Sequence, residues 1–375
     1  MFRRPAFAVA VLALAVADAP AHAAVVIDTI GGTEIAFEGL LQADANWYDS
    51  DVLDLASGDN GRNKDYELRR AELVLKGEAA NHGWVLGYDA KADRFLDNNI
   101  RWRIGDGGLR IGQYKQPNSL EELSSTRHND FISKAAATNT FGVARRLGVA
   151  YDTSGDAWTL TASAFGRELT RDQAEGNGYG ARFTWAPMNA TGHILHLGVS
   201  AVRFQAPGDV IRLRARPQAD LAGARLVDTG ELAADHIRTF GLESMYVHGP
   251  FKLQAEYMRA RVDGIDGDDF DGDSWYVSGL WNLTGETWSY RNGVPSTPEP
   301  DAPARGLWQL GLRYDRIDLD DGAVRGGAFD AVTAGVNWYL RSNFKLMLNY
   351  VAVDSRRAGI DDAPNIVEAR AQFHW

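Results

Sequence analysis

The sequence predicts an all-β protein, a transmembrane antiparallel β-barrel of about 16 strands. Three observations predict it. Apolar and polar side chains alternate in run after run, which is the period of a strand with a different medium on each face. Tight turns alternate with long polar loops, the asymmetry of a barrel that crosses a membrane. In the segment NIVEARAQFHW at 365–375, Val367, Ala369, Ala371, Phe373 and Trp375 fall on one side and Glu368, Arg370, Gln372 and His374 on the other.

The first strand is expected over 33–48, with Ile35, Phe37, Leu41 and Trp47 on the apolar face and Glu34, Glu38, Gln42, Asp44 and Asn46 on the polar one. After the polar loop 48–64 come strands over 65–78, 83–93, 98–104 and 108–115, with the turn Asp106-Gly107-Gly108 before the last of them. Strands over 144–152 and 157–168 flank Ser154-Gly155-Asp156, and those over 178–186 and 193–205 precede the long loop 206–235. His248-Gly249-Pro250 joins 236–248 to 251–262, and the loop 262–273 leads to 274–283. Strands over 306–320, 328–340, 344–353 and 365–375 bring the count to sixteen. An even count, with the first and last strands near the two chain ends, puts both ends on the periplasmic side of a bacterial outer membrane. Trp47, Tyr48, Trp84, Tyr151, Trp338, Tyr339, Tyr350 and Trp375 lie near strand ends and are expected in the two aromatic girdles.

The chain opens with Phe2-Arg3-Arg4, an apolar run from Ala6 to Ala17 and the small-x-small pattern Ala21-His22-Ala23, which reads as a signal peptide over 1–23. Residues 24–375 are expected to form a single barrel domain. The apolar run is shorter than the roughly 20 residues a spanning helix needs, and later apolar stretches are broken by Arg, Asp or Gly. There is no cysteine, so no disulfide framework holds this exported fold. The net charge of −11 argues against a nucleic-acid partner. The 39 basic residues comprise 32 Arg and 7 Lys, and Arg suits sites where a planar, always-charged donor grips oxyanions.

In the stretch VIRLRARP at 210–217, Arg212, Arg214 and Arg216 alternate with Ile211, Leu213 and Ala215. An extended backbone sets the three guanidinium groups in one row, about 7 Å apart, where they repel unless anions or carboxylates lie between them. Nearby Asp220 and Asp228 are the alternative partners. Arg101 and Arg103 flank Trp102, and Arg259 and Arg261 flank Ala260; each pair faces either the lumen or the lipid phosphates. The acidic loop 263–273 misses the EF-hand spacing and is expected to be a solvated outer loop that repels lipopolysaccharide or bridges it through divalent ions. No metal or other cofactor is expected.

Several stretches in order resemble the phosphate- and polyphosphate-selective porins, the family of porins O and P. They are LQAD at 41–44, RRAEL at 69–73, GYDAK at 87–91, GQYKQPNSLEELSSTR at 112–127, HLGVS at 196–200, LQAEYMRARV at 253–262, LTGE at 283–286, LWQLGLRYDRIDL at 307–319 and GVNWYL at 335–340. The resemblance implies a trimer of sixteen-stranded barrels in which the connection 116–142 folds inward and constricts the pore. It matches Ser125 and Thr126 to hydroxyl positions of the anion site, Arg127 to a basic position, Lys134 to an arginine and Asp89 to a nearby acid. Glu122 stands where phosphate-selective members carry a lysine, and its charge is expected to oppose phosphate. The family has an arginine ladder comparable to the row at 212–216, and its counterpart of 284–305 also turns into the pore.

The reading is an anion-preferring channel for phosphate, polyphosphate or related oxyanions, in which hydroxyls and basic groups replace the hydration shell of the ion. A weakly selective general porin is one alternative. A phospholipase-type enzyme on the barrel wall is the other, but no G-x-S-x-G occurs and the eight His are scattered. Expected partners are these anions, outer-membrane lipids and lipopolysaccharide, the barrel-assembly machinery that reads the terminal aromatic, and two further copies of the chain.

Overall fold

A computed structural model describes residues 25–171, 173–265 and 267–375; the expected signal peptide at 1–23 lies outside them. Sixteen antiparallel strands form one closed wall. In chain order they are β1 (Thr33–Asp49), β2 (Lys64–Glu78), β3 (His82–Asp89), β4 (Arg94–Ile104), β5 (Gly107–Lys115), β6 (Arg145–Ser154), β7 (Trp158–Phe165) and β8 (Gly178–Ala190). The wall continues through β9 (His193–Gln205), β10 (Leu232–His248), β11 (Phe251–Gly264), β12 (Phe270–Asn282), β13 (Leu307–Asp321), β14 (Val324–Leu340), β15 (Phe344–Arg357) and β16 (Asn365–His374). Each strand pairs with the next, and β16 returns to β1 from Leu40↔His374 to Asp49↔Asn365. Closure gives every wall strand a hydrogen-bonded neighbour on each side, as a bilayer requires because it offers the backbone no water.

The two faces of the wall follow the sequence alternation, with polarity inverted relative to a soluble protein. On β1, Leu41 and Trp47 point outward and are exposed, whereas Gln42, Asp44 and Asn46 point into the lumen and are buried. On β16, Glu368, Arg370 and Gln372 are likewise buried inside. The same period corrects part of the expected girdle: Tyr48 and Tyr339 follow outward-facing Trp47 and Trp338, so they point inward and are buried.

Some boundaries move. The strand expected over 83–93 stops at Asp89, because the Asp89 Oδ1 accepts backbone amides of Ala71, Lys91 and Ala92 at 3.1, 3.0 and 3.3 Å and so fixes a loop over 90–93. The loop expected between 320 and 328 is a turn at 322–323, where Gly322 takes φ +54° and lets β13 and β14 run on as a long hairpin. The loop expected over 262–273 shrinks to 265–269. An unexpected strand, Val25–Ile30, pairs with the first residues of β1.

The wall is uneven. Strands β3 to β7 have 8, 11, 9, 10 and 8 residues, whereas β8 to β15 have 13 to 17. The taller side carries an apolar patch on its lumen face, including Ile237, Met258, Val262, Ile317, Phe329 and Val353. Loops that enter the lumen pack on it.

Candidate functional site

The connection 116–144 leaves β5 and crosses the lumen to the opposite wall. Two short helices, α1 (Leu120–Leu123) and α2 (Ala136–Phe141), and a 3-10 turn at Thr126–His128 give it shape. Ser119 caps α1 by accepting the Glu122 amide at 3.2 Å. Lumen-facing side chains of the wall satisfy the remaining backbone. Glu256 accepts the amides of Leu120 and Glu121, both at 2.8 Å, Asp315 accepts that of Ala136 at 3.2 Å, and Lys345 donates to the Asn129 carbonyl at 2.6 Å. Phe131 settles over two glycines: a Cβ on Gly311 would lie 3.0 Å from its ring and one on Gly335 3.4 Å. The Arg313 guanidinium sits over that ring, 4.7 Å from its centroid. Glycine in these two strands makes room for the loop.

The loop 206–231 also enters the barrel. Ile211, Leu213 and Ala215 are buried against the apolar lumen patch, while Arg212 and Arg214 are exposed on the other face and Arg216 is half-buried. The Asp220 amide donates to Ser133 at 3.0 Å, so this loop rests on the first. Arg212 forms a two-pronged pair with Asp228 at 2.8 and 2.6 Å, which holds the Asp228 carboxyl down at about 2.

Between the two loops and the wall lies a cavity of about 410 Å³. The loops contribute Lys134, Arg212, Arg214, Arg216 and Arg225, and the wall contributes Arg69, Arg70 and Arg370; the only acid lining it is Asp220. Acids elsewhere balance part of this charge: Asp44 holds Arg370 at 2.6 Å and Glu72 holds Arg70 at 3.2 Å, while Asp220 itself meets Arg69 at 3.3 Å. Among the described residues, Arg214, Arg216 and Arg225 have no ion-pair partner. Burial first, and then Arg216 and Arg214, bring Arg225 down to about 10, so it remains charged at neutral pH.

Glu122 lies on the inward loop between Lys134 of this cavity and Lys115 of β5. The Lys134 ammonium bonds its Oε2, and Lys115 from β5 approaches its Oε1 at 3.8 Å. Burial pushes the Glu122 carboxyl up, but Lys134 and then Lys115 outweigh it and hold it at about 2. Lys134 also lines the upper cavity, whereas Lys115 lines a second one of about 320 Å³ toward the end of the barrel that carries both termini. Arg101, Arg103 and Arg110 line that lower cavity too, with Glu78 and Asp97 as its acids. The bridge Lys134–Glu122–Lys115 therefore separates two arginine-lined chambers. His128, on the same loop, is pushed down to about 4 by burial and then by Lys345 and Arg127, and is neutral at pH 7.

The structure brings Lys134, Glu122, Arg212, Arg214 and Arg216 together. Ser125 is exposed in the lumen, Thr126 is half-buried beside it, and Arg127 bonds Glu38 at 3.0 Å. Asp89 is buried, and its Oδ1 accepts the backbone amides of Ala71, Lys91 and Ala92, so it serves as a backbone anchor for the 90–93 loop. Arg101 and Arg103 face the lumen; Arg259 and Arg261 face outward, between buried Met258, Ala260 and Val262. In the acidic loop Asp269 is held by Arg261 and Asp271 by Arg259, and among the described residues no acidic or histidine cluster fits a metal ion.

Sequence reasoning missed Arg69 and Arg70 because strict alternation sends one of two neighbours to lipid. A β-bulge between Gln42↔Arg70 and Ala43↔Leu68 turns both inward. Arg370 was legible, since it lies on the polar face of the closing strand. The segment 283–306, at the terminal end, turns into the lumen as well: Trp288 is buried against Leu120, Ile194, Met245, Val247 and Leu280, and the Tyr290 hydroxyl meets the His196 Nδ1 at 2.6 Å.

Comparisons with known proteins agree with this architecture. The family described as "Phosphate-selective porin O and P" matches residues 41–375. Porin O of Pseudomonas aeruginosa is 24% identical over 416 residues, covering 93% of this chain and 92% of that one. Among solved structures, OmpT of Vibrio cholerae, which also has a trimer form, aligns with a TM-score of 0.62 at 12% identity, covering 93% of this chain and 99% of that one. An anion-selective porin from Comamonas acidovorans aligns with a TM-score of 0.60 at 14% identity, covering 91% and 100%.

Proposed function

The chain belongs to the family of phosphate-selective porins O and P and is thus a non-enzymatic porin of the bacterial outer membrane, and on that premise we propose that its channel prefers oxyanions, with inorganic phosphate or polyphosphate as the ligand class. One observation carries this reading: eight cationic side chains and a single carboxylate line the chamber above the constriction. Fixed charge of one sign in a low-dielectric cleft raises the local concentration of counter-ions. Anions enter at Arg212, Arg214 and Arg216, lose part of their hydration to the guanidinium forks, and pass the Lys134–Glu122–Lys115 bridge to Arg101, Arg103 and Arg110. Ser125 and Thr126 offer hydroxyls at the same level.

A weakly selective general porin is favoured by one observation, the carboxylate of Glu122 between the two constriction lysines. Planar-bilayer recordings separate the readings. An anion preference in a potassium chloride gradient, with phosphate blocking the chloride current, supports the first; anion preference without block supports the second; cation preference removes both. The proposal extends to export through a leader over 1–23 and to assembly as a homotrimer, in line with the trimer form of OmpT.

A further inference from the structure

On the outer surface of the barrel, Arg203 of β9 stands directly opposite Arg238 of β10, and Arg238 directly opposite Arg261 of β11. Arg259 lies two residues from Arg261 on the same face, opposite Phe240. Like charges in register on neighbouring strands destabilise a sheet unless counter-charges lie between them. Three aspartates supply part of that charge: Asp263 bonds Arg238, Asp269 bonds Arg261 and Asp271 bonds Arg259. Arg203 has no ion-pair partner among the described residues.

Each aspartate takes only part of a guanidinium that offers five donors. The side chains of Arg238, Arg259 and Arg261 remain 50, 54 and 47% exposed, on the side of the wall that meets the membrane. With Arg203 they line an outward cavity of about 550 Å³ whose floor includes Ala201 and Phe240. Away from the loop end on β10, the outward residues Phe240, Leu242 and Tyr246 are exposed aromatic and aliphatic side chains, the band that contacts acyl chains. The arginine row lies where that band gives way to loops, at the depth of lipid headgroups. Permeating ions cannot reach it, because it lies outside the lumen.

We propose that Arg203, Arg238, Arg259 and Arg261 form a binding site for the phosphates of an outer-leaflet phosphorylated glycolipid. Two phosphates on one headgroup fit paired guanidinium forks, and the aspartates hold those forks in place from the loop side. The site rests on the orientation that puts the long loops outside the cell.

The test uses the folded protein in detergent, titrated with bisphosphorylated lipopolysaccharide and followed by native mass spectrometry. Retention at least tenfold tighter than for a zwitterionic phospholipid is expected. The Arg203→Gln/Arg238→Gln/Arg261→Gln variant is expected to lose about tenfold in that binding while chloride conductance in 1 M salt stays unchanged. Equal binding by variant and parent overturns the site. So does complete displacement by inorganic phosphate at the concentration of the lipid, which would make the patch a free-anion site. Efficient cross-linking between copies through Arg203→Cys would place a second chain there and overturn it too. Should the triple variant misfold, Arg203→Gln alone breaks no ion pair and is expected to weaken retention about threefold; no weakening overturns the proposal.

Discussion

The Lys134 ammonium is bonded to the Glu122 carboxylate, and the opposite oxygen of that carboxylate faces Lys115 at 3.8 Å. One acid thus masks the two cations of the constriction. From sequence, Glu122 reads as a repulsive charge for phosphate, and Glu122→Lys as the change that would admit it. The structure redirects the test, because a lysine there would crowd three ammonium groups together. Glu122→Gln is the cleaner substitution. It is expected to strengthen phosphate binding by about 1–3 kcal/mol at an effective dielectric near 20, seen as phosphate block of the chloride current at lower concentration. An unchanged block shows that the bridge lies off the ion path.

Acid does not reproduce that change. The Glu122 carboxyl is held at about 2, below its unfolded value. Its contribution to stability is therefore present above the unfolded carboxylate range near ~4.3 and is lost only as pH falls through about 2. His128, held at about 4, gains charge only below that value. Between pH 7 and 5 neither group titrates, and the phosphate block of the parent protein is expected to stay well short of that of Glu122→Gln throughout this window. Convergence of the two proteins at pH 5 contradicts the buried ion bridge.

Replacing Arg212, Arg214 and Arg216 together with Gln is expected to lower anion preference most at low ionic strength. The field of the row reaches beyond contact while the Debye length is about 10 Å or more, and at 1 M salt it falls to about 3 Å. Reversal potentials in dilute and concentrated potassium chloride measure this, with parent and variant converging at high salt. Equal potentials in dilute salt remove the row from the pathway.

Phe131 pins the inward loop to the wall. Phe131→Ala removes about 3–5 kcal/mol of packing at a buried aromatic from a segment that hydrogen bonds and the packing of Leu120 and Phe141 also hold. Larger open-channel current noise is expected in single-channel traces, with the barrel itself intact on a heat-modifiability gel.

The Trp375 ring lies on the barrel seam against Phe37 and Phe373, with centroids 5.9 and 5.8 Å away. Its amide and carbonyl pair with Gly39 at 3.2 and 3.1 Å, and a Cβ on Gly39 would fall 2.0 Å from the ring. Gly39→Val is therefore expected to displace the ring and lower the temperature at which the folded band disappears on a gel by several degrees, corresponding to about 1–3 kcal/mol of overpacking.

The barrel was legible because lipid outside and polar groups inside force a period of two on every wall strand. Departures from that period were not. The bulge that turns both Arg69 and Arg70 inward shows only as a change of phase, with Tyr66 and Leu68 outward before it and Leu73 after it, and the Gly322 turn is one glycine among many. Asp89 reads as an acid near a site, yet backbone amides fix its role, and they are invisible in the sequence until the strands are paired. The arginine row at 212–216 was legible as a row. Its apolar underside, and so the way it is mounted in the lumen, became clear only with the patch on the taller wall.

In the segment 211–216 the odd-numbered residues glue the loop to the wall and the even-numbered ones carry charge, so reading frame matters more there than residue identity. Exchanging Leu213 for Ile keeps the packing face, and exchanging Arg214 for Lys keeps the charge in the lumen. Deleting one residue from this run turns the guanidinium groups into an oily wall and the aliphatic groups into the water path. Lineages of this channel are thus expected to drift in composition across these six positions while insertions and deletions accumulate only beyond them, toward the tip of the loop.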